Sequence, residues 1–242
     1  MKKPRGIVLY EGPSNLTGDP IVVVAVLKSG NRKTGNMVQA YIIRSDMDPV
    51  AAIKLVADDA VCGGCASRQS VGGHCYVNVG QSVLAVYKAY KRGSYVEAKG
   101  EALEYLVGRS IRFGSYGDPA AAPTFVWKML AGLASNVTGY THQVAHKSFD
   151  RELLNYCMVS ADTPRAALAQ HAKGVRTFRV KTPEGSLLPN ELECLAESEG
   201  LTCIECGVCN GGDGKNVAIS VHGTFENRYI DRYSKANIIA VG

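Results

Sequence analysis

Seven of the eight cysteines in this 242-residue chain lie in two short groups. The second group is the stronger constraint on folding: Cys203, Cys206 and Cys209 form a C-x2-C-x2-C segment, and Cys194 lies nine residues upstream. Neighbouring glycines allow the backbone to turn tightly around a bound ion. Four thiolates at this spacing are typical ligands of a zinc ion or an iron–sulfur cluster. The chain therefore has to fold so that these four sulfurs converge.

The first group has three cysteines, Cys62, Cys65 and Cys75, in a C-x2-C-x9-C pattern. Three protein ligands leave one coordination position open, which is how a metal site accepts a substrate or cofactor. His74 would instead complete a closed Cys3His zinc site. The remaining Cys157 lies in the apolar run LLNYCMVSAD, where we expect a small buried side chain. We predict metal ligation by all seven clustered cysteines and cofactor binding by the first group.

The consecutive two-residue spacings favour a 4Fe–4S cluster over zinc, because bacterial-type ferredoxins use them to direct successive sulfurs to successive irons. Zinc ribbons and fingers instead pair two C-x2-C elements across a longer loop. We expect one or two 4Fe–4S clusters, with zinc as the alternative. The sequence leaves open whether the two groups form one site or two.

The size and composition are those of a soluble globular protein that needs no disulfides for its stability. Hydrophobic residues make up 46% and charged residues 20% of the chain, which is long enough to bury a large core. The start MKKPRGIVLYEGPSN lacks a signal-peptide apolar segment, and no run reaches the roughly 18 apolar residues of a membrane helix. We expect a cytoplasmic protein without membrane contact. In that reducing compartment, clustered cysteines favour metal over disulfides.

The pattern of apolar residues predicts a single α/β domain. The runs IVLY, IVVVAVL and MVQAYIIR predict strands that form an N-terminal β-hairpin. A helix is predicted over 46–59, with Asp48 as its cap and Pro49 in its first turn. The domain then has three regions: the hairpin region 1–45, a helical segment with the first cysteine group over 46–99, and βα units with the second group over 100–242.

From residue 100 onward strands alternate with helices, which predicts a parallel sheet. We expect a partial or complete (β/α) barrel-like sheet with two cysteine-rich metal-binding loops. Several predicted strands end in polar side chains, and the carboxyl ends of barrel strands are where active sites form. For Asp118 and Asp162, capping of a helix or turn explains an aspartate at the strand end equally well. The candidate catalytic residues are Asp118, His142, Asp162, Arg179 and His222.

Three cysteines with an open position, βα units with polar strand ends and four later cysteines resemble the radical-SAM enzymes that carry an auxiliary cluster. In that family, three cysteines bind a 4Fe–4S cluster whose free iron chelates S-adenosylmethionine. The resemblance implies this role for Cys62, Cys65 and Cys75, and auxiliary ligation for the second group. The family's spacing is C-x3-C-x2-C after the first barrel strand, whereas this chain has C-x2-C-x9-C after a predicted helix.

Most of the chain also resembles a family of uncharacterised bacteriophage-encoded proteins with clustered cysteines. The resemblance is carried by YEGPS, NRKTGNM, the CGGC and CYVNVGQ segments, IRFGSYGDPAA, TGYTHQ, GVRTFRV and AISVHG. It implies a viral origin and a location in the host cytoplasm.

These observations predict an iron–sulfur protein with radical-SAM-like or redox chemistry on a small molecule or nucleotide. The strand-end residues would orient this substrate or move protons, and Arg179 suits a carboxylate or phosphate. The alternative is a zinc-stabilised nucleic-acid-binding, structural or regulatory protein without catalysis. The net charge of +5 permits nucleic-acid contact, although the basic residues are spread along the chain.

Overall fold

Two β-sheets that meet at Gly139 form the framework of the protein. The computed structural model describes residues 3–237, and these contain eleven strands. The first sheet has the order β4-β1-β2-β3-β5-β6, and the second has the order β10-β11-β9-β8-β7. The strands are β1 (Gly6–Pro13), β2 (Pro20–Val26), β3 (Val38–Arg44), β4 (Val96–Glu97), β5 (Ser110–Tyr116), β6 (Asn136–Thr138), β7 (Tyr140–Thr141), β8 (Met158–Ala161), β9 (Thr177–Lys181), β10 (Glu191–Glu193) and β11 (Asn216–Ser220).

The N-terminal region is an antiparallel meander. Strand β2 pairs with both β1 and β3 in the antiparallel sense, which confirms the hairpin predicted within 1–45. Residues Ile21 to Ala25 of β2 are fully buried, as expected for an apolar, β-branched central strand. Strand β3 is buried along its whole length, including the polar side chains of Gln39 and Arg44. Strand β3 also begins the parallel series, since β5 pairs with it in the parallel sense.

From β5 onward the strands run parallel, which confirms the parallel α/β arrangement. Strand β5 pairs with β6, and the chain then enters the second sheet, where β7, β8, β9, β11 and β10 are parallel neighbours. The predicted barrel closure is not found. In the described residues the strands form two open sheets, and β10 pairs on the outer side of β11 although it precedes β11 in the chain.

The change of sheet occurs at Gly139, between β6 and β7. A Cβ atom at this position would lie 2.5 Å from Cys157 Sγ and 3.1 Å from the Cβ of Phe113, so only glycine fits without a shift. The strand predicted for VTGYTH is therefore two short strands in different sheets. Cys157 is 1% exposed, which confirms the prediction of a small buried side chain.

Short helices connect the strands, and none of those described is long and apolar enough to cross a membrane. A 3-10 segment over Gly100–Leu106 replaces the α-helix predicted there. The sequence pattern does not predict β4, β10 or the last three helices. The α-helices are α1 (Pro49–Lys54), α2 (Asp59–Cys62), α3 (Leu84–Lys91), α4 (Thr124–Leu133), α5 (Pro164–His171), α6 (Leu195–Ser198), α7 (Cys203–Cys206) and α8 (Glu226–Asn237).

The helix predicted over 46–59 starts as expected but ends early. Asp48 Oδ1 accepts the backbone N–H groups of Val50 and Ala51 at 2.8 and 3.1 Å, which satisfies the first turn of α1. The helix ends at Lys54, and Val56 then takes a left-handed conformation with φ of 57°. This turn starts a new helix, α2, whose last residue is the first cysteine of the first group.

The left-handed Val56 predicts a simple route to a more stable protein. Replacement Val56→Asn should raise the free energy of unfolding by about 1 kcal/mol, because a β-branched side chain is strained in this conformation and asparagine tolerates it. Little burial is lost, since Val56 is 48% exposed. The gain should appear as a Tm higher by about 2–4 °C for a chain of this length.

The matched control is Val107→Asn, because Val107 is also exposed but has an ordinary φ of −60°. It should give no gain in Tm. An equal rise in Tm in both variants would show that the gain comes from the more polar surface and not from relief of backbone strain.

Candidate functional site

One cavity of about 500 Å³ borders all seven clustered cysteines. Side chains from β5, β6, β7, β8, β9 and β11 form its wall. The fold therefore gathers the two groups around one space, a relation that the sequence left open. The cysteines that line the cavity are Cys62, Cys65, Cys75, Cys194, Cys203, Cys206 and Cys209.

The first cysteine group lies at the carboxyl ends of the parallel strands. The backbone N–H of Asp118, just after β5, donates to the carbonyl of Val61 at 2.7 Å. Gln143, just after β7, donates to the carbonyl of Cys62 at 2.9 Å and accepts from Gly64 N–H at 3.0 Å. The CGGC segment is thus fixed to the ends of two neighbouring strands, one from each sheet.

The loop between Cys65 and Cys75 folds back on itself and returns Cys75 to the CGGC segment. The buried carboxylate of Asp58 accepts hydrogen bonds from Arg68 at 3.1 Å and Ser70 at 2.6 Å. The backbone N–H of Cys75 donates to the carbonyl at position 67 at 2.8 Å. These bonds explain how a nine-residue spacer can bring the third thiol beside the first two.

Burial changes the chemistry of these thiols. It raises the pKa of Cys62 well above the usual thiol value, and the neighbouring Cys65 and Cys75 raise it further. Burial likewise raises the pKa of Cys75 to about 11. Both thiols are therefore protonated at neutral pH without a metal, and ligation would release their protons.

Two imidazoles beside the first group have ring nitrogens without a hydrogen-bond partner in the described part of the chain. His74 is 7% exposed and its Nε2 lies 3.2 Å from Ser67 Oγ, but its Nδ1 is buried and unpaired. His142 Nε2 is also buried and has no hydrogen-bond partner within the usual distance, although it lies 3.9 Å from Asp162 Oδ1, within reach of an ion pair. Although burial opposes the charged ring, Cys65 and Asp162 raise the pKa of His142 well above its usual value. Both rings line the cavity and can offer a nitrogen to a bound ion or ligand.

The buried carboxylate of Asp118 connects the chain after β5 with the end of β7 at the cavity wall. This carboxylate accepts hydrogen bonds from the backbone N–H groups of Ala120 at 3.0 Å and His142 at 2.7 Å, and from the Thr141 hydroxyl at 2.8 Å. Burial raises the pKa of this carboxyl, and these hydrogen bonds partly oppose the rise. Of the two explanations that the sequence left open for Asp118, the contacts favour capping.

The second cysteine group is shaped by a one-turn helix, α7. Thr202 and Glu205 form a capping box at its start, so that Cys203 and Cys206 occupy its first and last positions. Gly207 ends it in a left-handed turn with φ of 63°, which directs the chain onward to the third cysteine of the C-x2-C-x2-C segment.

Hydrogen bonds attach the C-x2-C-x2-C segment of this group near the amino ends of the strands, whereas Cys194 follows β10 and donates its backbone N–H to the carbonyl of Ala218 in β11. The backbone N–H of Cys203 donates to the carbonyl of Lys33, in the loop before β3, at 2.9 Å. Arg176, just before β9, donates to the carbonyls of Val208 at 2.9 Å and Lys215 at 2.6 Å. The C-x2-C-x2-C segment thus lies at the opposite end of the strands from the first group.

Aromatic and basic side chains form the wall between the two groups. Arg112 Nη2 donates to Tyr76 Oη at 2.9 Å, and its guanidinium carbon lies 5.3 Å from the ring centroid of Tyr140. The ring centroids of Tyr140 and Phe178 are 4.3 Å apart, and those of Tyr76 and His222 are 5.4 Å apart. Of these residues, only His222 was predicted as a site residue from the sequence, because the others match no catalytic or metal-ligating pattern.

Arg179, a predicted site residue, lies outside the cavity wall. Its side chain is fully buried, and its Nε and Nη2 donate to the two carboxylate oxygens of Glu191 at 2.8 and 2.6 Å. Phe178 and Val180 on either side of it in β9 line the cavity, so Arg179 faces the other side of the sheet. Its contacts tie β10 to β9.

The side chains around the cavity include thiols and imidazoles, which are groups that zinc and iron–sulfur clusters use as ligands. The second group offers four thiols, and the first offers three thiols with two nearby imidazoles. In the arrangement described for residues 3–237, no three His, Cys, Asp or Glu side chains are close enough together to hold a single ion. Metal binding at either group therefore requires the thiols to move closer to a common centre.

Comparisons of this chain with protein-family models, with curated proteins and with solved structures give no match.

The buried pair of Arg179 and Glu191 predicts a large and asymmetric effect on stability. Glu191→Gln should lower the free energy of unfolding by about 3–5 kcal/mol, because it leaves the guanidinium buried without its counter-charge. The double variant Arg179→Met/Glu191→Leu should recover most of this loss. Urea unfolding of the wild type and the two variants measures both effects. A double variant as unstable as Glu191→Gln would contradict this account.

Proposed function

We propose that this protein is an iron–sulfur enzyme that acts on a small molecule or nucleotide held in the cavity. The observation that carries the proposal is that all seven clustered cysteines border one cavity, with the first group and the C-x2-C-x2-C segment toward opposite ends of the parallel strands. A purely structural metal needs no access to a ligand cavity, whereas a catalytic or redox centre must reach its substrate. The cavity volume of about 500 Å³ is within the usual range for small-molecule sites.

The first group is the proposed reactive centre. Three thiol ligands leave one iron position open, and the carboxyl ends of parallel strands are where α/β proteins commonly bind ligands. S-adenosylmethionine is the proposed ligand of that position, in keeping with the radical-SAM resemblance. His142 and Asp162 border the same end of the cavity and would orient the substrate or move protons.

The second group is the proposed auxiliary centre. Its four thiols can complete a 4Fe–4S cluster without help from other residues. That cluster would relay electrons or stabilise the fold around α7. Both centres need reduced thiols, so the proposal includes a cytoplasmic location, in the host cell if the chain is of phage origin.

Metal analysis tests the proposal directly. Protein purified without oxygen should be brown, with broad absorbance near ~400 nm and with iron and sulfide in equal amounts. Cys65→Ser and Cys206→Ser should each lose the iron of one cluster and keep the other, since the two groups lie apart. The matched control is Cys157→Ala, which removes a buried thiol outside the cavity wall and should keep all the iron.

A colourless protein with stoichiometric zinc would contradict the iron–sulfur proposal. It would favour the alternative, a zinc-stabilised protein without catalysis that binds nucleic acid or has a structural role.

Reductive cleavage of S-adenosylmethionine tests the reaction class. With dithionite as the one-electron donor, iron-loaded wild type should break one carbon–sulfur bond and give methionine and 5′-deoxyadenosine, whose added hydrogen atom comes from substrate or solvent. Cys65→Ser should abolish the products, whereas Cys157→Ala should retain them. Fully loaded, reduced wild type that gives no cleavage would exclude the radical reaction and leave a redox role.

A further inference from the structure

Arg112 has unused hydrogen-bond donors that face the cavity. A guanidinium carries five N–H donors, and one of them bonds to Tyr76 Oη. In the described residues, the side chain of Arg112 has no other hydrogen-bond partner, and its nitrogens are not among the fully buried unpaired atoms. The remaining donors are therefore accessible from the cavity that Arg112 lines. The side chain is half-buried on β5, which holds it in place within the wall. A fixed fork of this kind matches the oxygens of a phosphate.

Aromatic rings lie next to this guanidinium: its carbon is 5.3 Å from the Tyr140 ring centroid, and the Tyr76 hydroxyl accepts its hydrogen bond. Tyr140 and Phe178 form one pair, with ring planes inclined at 42°, and Tyr76 and His222 form the other, inclined at 34°. All four rings line the cavity. Aromatic faces next to a cation are the usual combination for binding a nucleotide, because the base stacks while the phosphate is neutralised.

The acidic side chains of the cavity wall are engaged at its other end. Asp118 is bonded to the chain after β5 and β7, and Asp162 lies beside His142. Glu197 pairs with Lys33, a second basic residue of the wall. The Glu197 carboxylate therefore does not neutralise Arg112. Among the described residues, no carboxylate is therefore paired with Arg112, and its charge is open to an anion in the cavity.

We infer that Arg112 binds the phosphate of a nucleoside 5′-monophosphate whose base lies against the Tyr140 and Phe178 rings. The inference rests on the proposed function in one respect, that this cavity is the substrate site. It adds the substrate class, a mononucleotide, and names the residue that selects for the anion. Binding itself needs no metal, since the contacts come from Arg112 and the aromatic rings.

Calorimetric titration with GMP, guanosine and inorganic phosphate tests the inference. Wild-type protein should bind GMP more tightly than either fragment. Arg112→Met should weaken GMP binding by roughly 10–100-fold, which is the usual worth of a hydrogen-bonded charge. Phe178→Leu should weaken GMP binding roughly tenfold through lost stacking, but it should leave the affinity for inorganic phosphate unchanged.

The control for charge is Arg165→Met, which removes an exposed arginine on α5 and should leave GMP binding unchanged. If Arg112→Met does not fold, Arg112→Lys serves in its place. Lysine keeps the positive charge but cannot donate the two parallel hydrogen bonds of a guanidinium, so GMP binding should weaken by roughly 3–10-fold.

Wild type that does not bind GMP at millimolar concentration would overturn the inference. So would an Arg112→Met variant with unchanged GMP affinity, and a loss of metal in that variant would then identify Arg112 as the charge partner of Cys203 and Cys209, which lie near the guanidinium. Metal content measured on the same samples separates the two proposals. A zinc-loaded protein that binds GMP through Arg112 retains the mononucleotide site and loses the iron–sulfur assignment.

Discussion

The carboxylate of Asp118 links the two sheets beside the cavity that they form. Asp118 follows β5 of the first sheet and bonds to Thr141 and His142 at the end of β7, in the second sheet. The same segment donates through its backbone to the chain that leads into the CGGC segment. Since a buried carboxylate is stable only when its oxygens are satisfied, the three chain segments are held in one arrangement. The position of the first cysteine group follows from this network.

Much of the fold could be predicted from the sequence, for reasons visible in particular segments. The apolar runs of β2 and β3 fit only a buried sheet, and Asp48 with Pro49 marks the start of α1. The end of α1 could not be predicted, because the residues of KLVADD are compatible with a helix and valine rarely adopts the left-handed conformation found at Val56. The expected partial or complete barrel is not confirmed in the described residues, since the pairing of β10 outside β11 depends on long-range contacts that local patterns do not encode.

The candidate site was only half visible in the sequence. The cysteines were found because thiols at short spacings have few other uses, and all seven line the cavity. Arg112 and Tyr140 were missed, because their function as wall residues comes from the face of the strand on which they lie. Arg179 shows the converse: it ends a strand in the expected way, but strand alternation places it on the face away from the cavity, opposite Glu191.

The first cysteine group and the C-x2-C-x2-C segment lie at opposite ends of the parallel strands, so the length of the strands fixes the distance between them. Strands β8, β9 and β11 contain four or five residues, which corresponds to roughly 13–17 Å between their ends. The loops that carry the cysteines can change in length without altering that separation. A strand cannot, because one added residue would turn its cavity-facing side chains to the opposite face. Any exchange of electrons between the two proposed centres would therefore occur over a distance that the sheet sets and that changes in loop length do not alter.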